Sequence, residues 1–322
     1  MQLTRALGLE RACGVSALPW AVRGLTLVEL TVVLAILVIL AAVAVRSTEG
    51  LLDQTRYEAT QQALQNIEDA ILGPANQRNT NGSPLITGFV ADIGRLPVAV
   101  AVGSPAITQP GELVTANGLT LFGFYTASLD PEVMLPGGWR GPYVRLPIGS
   151  NELRDGWGNN LVLLKADGSA AAVTEQVSII RSLGVNNSVG GSNYDADLST
   201  TIEQTINPIQ PARHLAFVSL NITPGTPAVP GNNVVVRLYG PVNGNIQPLA
   251  QQVYSSALGP QSGVLTAVPI GQRALRAYQT SENPLTLNTP ISTASITHRS
   301  AVVYMMLPQG GLPQSIDLLL QP

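Results

Sequence analysis

Two groups of residues in this sequence have types and spacings suited to chemistry. The first is the run Leu183–Leu198, LGVNNSVGGSNYDADL, which gathers Asn186, Asn187, Ser192, Asn193, Asp195 and Asp197 among glycines. Hard oxygen donors on a glycine-rich loop suit Ca²⁺, which takes roughly six to eight oxygens at variable geometry. The competing reading is a solvated turn whose Asn and Asp side chains bond their own backbone. The second is Glu29, the one charge in the 21-residue run LTLVELTVVLAILVILAAVAV from Leu25 to Val45. An isolated carboxylate in a membrane segment costs on the order of 3 kcal/mol, so it calls for a partner. A carboxylate that snorkels to the membrane interface costs less and does nothing.

Other chemistry finds little support. The sequence has no G-x-S-x-G, HExxH or P-loop pattern. His214 flanks a strand pattern and His298 sits in a loop-like stretch; both read as structural or exposed. The single cysteine, Cys13, excludes an intramolecular disulfide, a four-Cys zinc site and a CxxC redox pair. A formal net charge of -3 with one lysine, Lys165, leaves no basic footprint for nucleic acid. At 45% hydrophobic and 11% charged, the chain is too apolar to be disordered. These observations point to a structural or binding protein rather than an enzyme.

The elements that must position these residues begin with a long helix. Leu25–Val45 as a helix spans roughly 31 Å, enough for a bilayer core. Arg5, Arg11 and Arg23 precede it, which favours keeping residues 1–24 on the cytoplasmic side. A secretory signal cleaved near Ala42-Val43-Ala44 and a plain signal anchor are alternative readings of the same run. Beyond it, Leu52, Ala59, Ala63, Ile67, Ala70 and Ile71 form a one-sided stripe, and Gly73-Pro74 ends the helix. Residues 76–138 are polar and rich in Gly and Pro, with small strands expected around Leu121–Tyr125. Leu161–Lys165 and Val177–Arg181 are strand candidates separated by the turn pair Asp167-Gly168. Trp139 and Trp157 read as core packing. After a linker-like segment at 200–211, six or so short apolar runs between His214 and Leu320 suggest a β-sandwich.

Two stretches carry a resemblance. Arg23-Gly24-Leu25-Thr26-Leu27-Val28-Glu29-Leu30 ahead of the apolar run resembles the cleavage motif of type IV prepilins and type II secretion pseudopilins. Trp139-Arg140-Gly141-Pro142-Tyr143, Asp155-Gly156-Trp157-Gly158-Asn159-Asn160 and Ser182-Leu183-Gly184 are spaced as in the major pseudopilin of type II secretion. There, Pro is usual where Gly156 stands, and an aromatic is common where Leu161-Val162 follows Asn160. The resemblance covers roughly residues 24–199.

It implies a prepilin leader over 1–24, cut by a prepilin peptidase after Gly24, with N-methylation of Leu25. Glu29 would pair with a neighbouring subunit's terminal amine during assembly. It implies calcium in the 183–198 loop, held by Asn186, Asp195 and Asp197 side chains and the Leu183 carbonyl, with Asn186 standing where Asp is usual. The expected fold is α+β. A membrane-spanning helix (25–72, transmembrane over 25–45) would pack on a pilin-like head (73–199), followed by an immunoglobulin- or transthyretin-like sandwich (212–322). The expected setting is single-pass in a bacterial inner membrane with the C-terminal domains in the periplasm. The implied partners are other pseudopilin subunits and an inner-membrane assembly platform. The implied function is a subunit of the periplasmic secretion filament. The rival is a minor or adhesive type IV pilus subunit, which the added C-terminal domain favours. A periplasmic enzyme carrying a carbohydrate-binding module is a weaker third.

Overall fold

A computed structural model describes residues 26–74, 87–103, 106–202, 214–225, 229–255, 259–282, 286–308 and 314–322, with residues 43–49 described in backbone only. The expected leader, Gly24 and Leu25 lie outside these residues. The chain divides into two compact units, one up to Leu52 and one from Asp53.

Helix α1 runs Leu27–Leu72. Its start is set locally: Thr26 Oγ1 accepts the Glu29 N–H at 3.2 Å, an N-terminal cap on the first turn. Its end is set by Gly73, whose φ of 84° stops the helix while its N–H still reaches the Asp69 carbonyl at 2.8 Å. In the first unit the large side chains from Leu27 to Leu40 are exposed, Leu27 at 79% and Val33 at 44%. No helix among the described residues is long and apolar enough to cross a membrane. This overturns the transmembrane assignment of 25–45 and the single-pass inner-membrane setting built on it.

In the second unit, α1 presents Tyr57, Thr60, Leu64, Ile67 and Ile71, spaced three and four apart, to the rest of the fold. The stripe differs from the one expected, since Leu52 and Ala59 are exposed and Thr60 is fully buried. The described part of the segment read as a polar loop, from residue 87 onward, is structured. It holds α2 (Phe89–Ile93), the hairpin β1–β2 (Val100–Val102, Ile107–Gln109), a 3₁₀ turn at Gly111–Leu113, and the hairpin β3–β4 (Gly123–Ala127, Asp130–Gly137). A three-stranded antiparallel sheet follows in the order β5 (Val162–Leu164), β6 (Ile179–Ser182), β7 (Leu198–Thr201).

From Leu215 the chain forms one large sheet. Its strands are β8 (Leu215–Thr223), β9 (Asn233–Val242), β10 (Asn245–Tyr254), β11 (Gln261–Pro269), β12 (Gly271–Thr280), β13 (Ile296–Ser300), β14 (Val303–Leu307) and β15 (Gln314–Gln321). The order is β10-β9-β12-β13-β15-β8-β11, with β14 also on β12. Only β15–β8 is parallel among these pairs. The end strands β10 and β11 are neighbours, so the sheet curls back nearly into a barrel.

This corrects the expected α+β fold with a separate sandwich. At 41% strand and 20% helix the protein is mostly β, and its dominant feature is the near-barrel. The physical reason is that β10 and β13 carry the sheet around where two stacked faces were expected. One hydrophobic core runs from Leu64 and Ile67 of α1 through Phe89 and Ile93 to Val236, Leu275 and Leu318. Head and barrel are therefore packed as one body. Gly94 shows how tightly: a Cβ there would lie 1.7 Å from the Pro241 carbonyl oxygen.

The outer face of the barrel also meets the β3–β4 hairpin through buried charge. Arg276 Nη1 bonds both carboxylate oxygens of Asp130, at 2.9 and 2.8 Å, and Tyr278 donates to the same carboxylate. Arg276 Nη2 reaches Glu132 at 2.7 Å. Tyr239 and Tyr278 hydroxyls lie 2.9 Å apart. Burial, with hydrogen bonds to Asp130 and Tyr239, pushes the Tyr278 phenol well above its usual range.

Candidate functional site

The 183–198 loop is built by the motif pieces beside it. Asp155 is buried, and its Oδ1 accepts the N–H groups of Trp157 (3.0 Å) and Asn159 (2.7 Å). Its Oδ2 accepts from Ser182 Oγ at 2.7 Å. Asn159 Nδ2 donates to the Gly184 carbonyl at 2.9 Å. The Asp155–Asn160 turn thus grips the end of β6 where the loop departs. Gly184 and Gly191 both lie against the Asp195 backbone, and the Val185 N–H reaches the Tyr194 carbonyl at 3.0 Å. The loop is folded on itself around Asp195.

Gly156 ties this turn to α1. Its N–H donates to Thr60 Oγ1 at 2.9 Å, and Thr60 Oγ1 donates to the Arg56 carbonyl at 2.9 Å. Tyr57 stacks edge-on against both Trp157 and Tyr194, with centroids 6.4 and 6.0 Å apart. Proline, the residue in the resembled pattern at this position, has no N–H to give Thr60, so Gly156 makes a bond that proline could not.

The Trp139–Tyr143 piece serves a different anchor. Trp139 Nε1 donates to the Glu112 carbonyl at 2.7 Å, Arg140 pairs with Asp92 at 2.9 Å, and the Tyr143 hydroxyl reaches Asp92 at 2.9 Å. Burial pushes the Asp92 carboxyl above its ordinary value, against the pull of Arg140 and Tyr143. The Arg and Tyr that bury Asp92 are 48 and 51 residues away in sequence.

The four residues expected to hold calcium share one loop. Asn186 Oδ1 accepts the Ser188 N–H at 2.9 Å. Asp197 Oδ1 accepts the Gly190 N–H at 3.1 Å, and its Oδ2 lies 3.7 Å from Arg181 Nη1. Leu183 follows β6 directly. The donors fit calcium in kind, being carboxylate, amide and carbonyl oxygens. They are poor in charge, because Arg181 offsets Asp197. No group of three or more His, Cys, Asp or Glu placed to hold a metal occurs among the described residues.

Glu29 lies in the other unit, exposed in the first turn of α1. Thr26 and Glu29 have the spacing of a capping box, and a carboxylate in the first turn meets the positive end of the helix dipole. Glu29 therefore has a role within its own chain, a signal present in TLVE that the membrane reading passed over. Both histidines are buried, and His298 lies in β13 rather than in a loop. The chain matches no protein-family model, and no curated protein is significantly similar to it.

Proposed function

We propose that this protein is a filament subunit of the pseudopilin class, of the type that builds the filament of type II secretion, and that it assembles through the apolar part of α1. The observation that carries the reading is that part itself. Every large hydrophobic side chain described from Leu27 to Leu40 is exposed, on all sides of the helix. A helix that is apolar all round needs burial. Covering half of each such side chain recovers on the order of 1 kcal/mol. Eleven of them give roughly 10 kcal/mol, comparable to the association entropy that must be overcome. The RGLTLVEL motif and the three-piece series at 139–184 support this class of subunit. Under this reading a prepilin peptidase cuts after Gly24, Glu29 meets the new amine of a neighbour, and calcium in the 183–198 loop stiffens the head.

Negative-stain microscopy and sedimentation of the assembled protein test the reading. Wild type forms elongated particles. Leu34→Asp places a charge in the bundled core and abolishes them, and Glu29→Ala reduces them while leaving the melting of the head unchanged. A Leu34→Asp protein that assembles like wild type overturns the proposal. The near-barrel favours the alternative of a minor or adhesive pilus subunit, since it adds a large body to the head. A neighbouring gene for a retraction ATPase selects that alternative, and one for a secretion ATPase beside an outer-membrane secretin selects the first reading.

A further inference from the structure

We propose a second binding site, independent of filament assembly: a row of polar side chains at one end of the near-barrel that takes a small uncharged molecule bearing a primary amide. Tyr254 of β10 and Gln279 of β12 both stand opposite Val234 of β9, and His298 of β13 stands opposite Gln279. Directly opposed residues face the same side of a sheet. Val234 belongs to the core that the barrel encloses, with Val218, Leu265 and Leu318. Four adjacent strands therefore carry Tyr254, Val234, Gln279 and His298 side by side on the inner wall. The row lies where β9 and β13 begin and β10 and β12 end. Ends of β-barrels are common sites for small ligands.

The Tyr254 hydroxyl, Gln279 Oε1 and both ring nitrogens of His298 are buried and make no hydrogen bond among the described residues. Gln279 is 0% and His298 5% exposed. Buried polar atoms are nearly always satisfied, so four orphans in one row call for a partner from outside the chain. Both end members lie against glycine, which offers no side chain to bond them. A Cβ on Gly263 would stand 2.1 Å from the Tyr254 hydroxyl, and one on Gly225 2.1 Å from the His298 ring. The donor count selects the ligand. Gln279 Nε2 points at the Val229 carbonyl, 3.5 Å away, which leaves Oε1 as the free acceptor. In a neutral imidazole one nitrogen donates and the other accepts, and a phenol hydroxyl does either. The complement is two donors, for Gln279 and the accepting nitrogen, and one acceptor for the ring N–H. A primary carboxamide carries that set in one plane. The row holds no charged side chain, which suits an uncharged molecule.

The probe is acetamide, titrated into the full-length protein while the imidazole nitrogens are followed by long-range ¹H–¹⁵N NMR. The chain has only two histidines, so His298→Gln assigns the signals. The His298 nitrogens shift saturably and those of His214 do not. N,N-dimethylacetamide keeps the carbonyl but lacks both donors, and leaves the His298 signals in place. Gln279→Leu and Tyr254→Phe each weaken acetamide about tenfold or more. Tyr254→Phe also melts no lower than wild type, because the hydroxyl it removes bonds nothing in the free protein. If Gln279→Leu disturbs the fold, Tyr254→Phe and the dimethylated amide make the same test. His298 nitrogens that acetamide leaves unmoved, the result if water alone completes these bonds, overturn the proposal. So do equal shifts with the two amides, or a lower melting temperature in Tyr254→Phe.

Discussion

Replacing Gly156 by proline, the residue usual in the pseudopilin pattern, tests the joint between α1 and the head. A Cβ on Gly156 would stand 2.1 Å from the Arg56 carbonyl oxygen and 3.0 Å from Thr60 Oγ1, where ordinary contact begins at 3.4 Å. The obstructing atom is helix backbone, so no rotamer change relieves it and α1 must retreat by about 1.3 Å. Overpacking of this kind costs about 1–3 kcal/mol. Proline also deletes the N–H that bonds Thr60 Oγ1, a further loss of about 1 kcal/mol. The sum of roughly 2–4 kcal/mol lowers Tm by on the order of 10 °C for a unit of this size. Thermal unfolding of the full chain by circular dichroism reads the shift.

Gly156→Ala should show the steric part alone, about 1–3 kcal/mol. Thr60→Val should show the polar part, since it leaves the Gly156 N–H without an acceptor at about 1–3 kcal/mol. Because the clash is with the Arg56 carbonyl, the cost of Gly156→Ala should persist in a Thr60→Ala background. A Gly156→Pro protein that melts within about a degree of wild type would refute the geometry. So would an alanine penalty that disappears once the Thr60 hydroxyl is gone.

Intact mass of the purified protein should show an N-terminus at Leu25 carrying one methyl group; an N-terminus at Val45 would mean an ordinary signal peptide and end the filament reading. Millimolar calcium should raise the melting temperature of the head relative to chelator, with affinity of roughly 10⁻⁴ to 10⁻³ M, and Asp195→Ala with Asp197→Ala should erase the difference. No shift in the wild-type protein would leave the 183–198 loop a self-bonded turn. Burial pushes the His214 imidazole from about 6.5 down to about 4, so the unfolded chain takes up a proton that the folded one refuses. That contribution is complete above about pH 6.5 and is lost as pH falls toward 4, about 3 kcal/mol in all. Urea midpoints should therefore fall less steeply with acid in His214→Asn, and equal slopes would remove His214 from the account.

What was legible in the sequence follows local signals, and what was missed lies in pairings over long distance. The end of α1 was legible because Gly73-Pro74 acts on its own backbone. Six barrel strands showed themselves as short apolar runs because alternate residues face the core. β10, NIQPLAQQVY, did not: it carries three glutamines and Pro248, and it shifts register between Pro248 and Ala250. A terminal strand tolerates these features because one of its edges carries no ladder bonds. β13, ITHRS, hides a buried histidine between exposed neighbours. Without these two strands the runs suggest two stacked faces; with them the sheet curls round.

The same logic separates the two candidate sites. The oxygen donors of 183–198 are contiguous, so composition alone assembled them. Asp155, Ser182, Thr60 and Gly156, which hold that loop against α1, are scattered over more than a hundred residues and look ordinary one by one. Gly156 in particular read as a lapse from the family pattern, yet the structure gives it a bond that the usual residue cannot make. If the site binds calcium, its rigidity is inherited from that hydroxyl-to-glycine bond as much as from the ion. The loop and the helix are then one mechanical element, and stiffening either should be felt at the other.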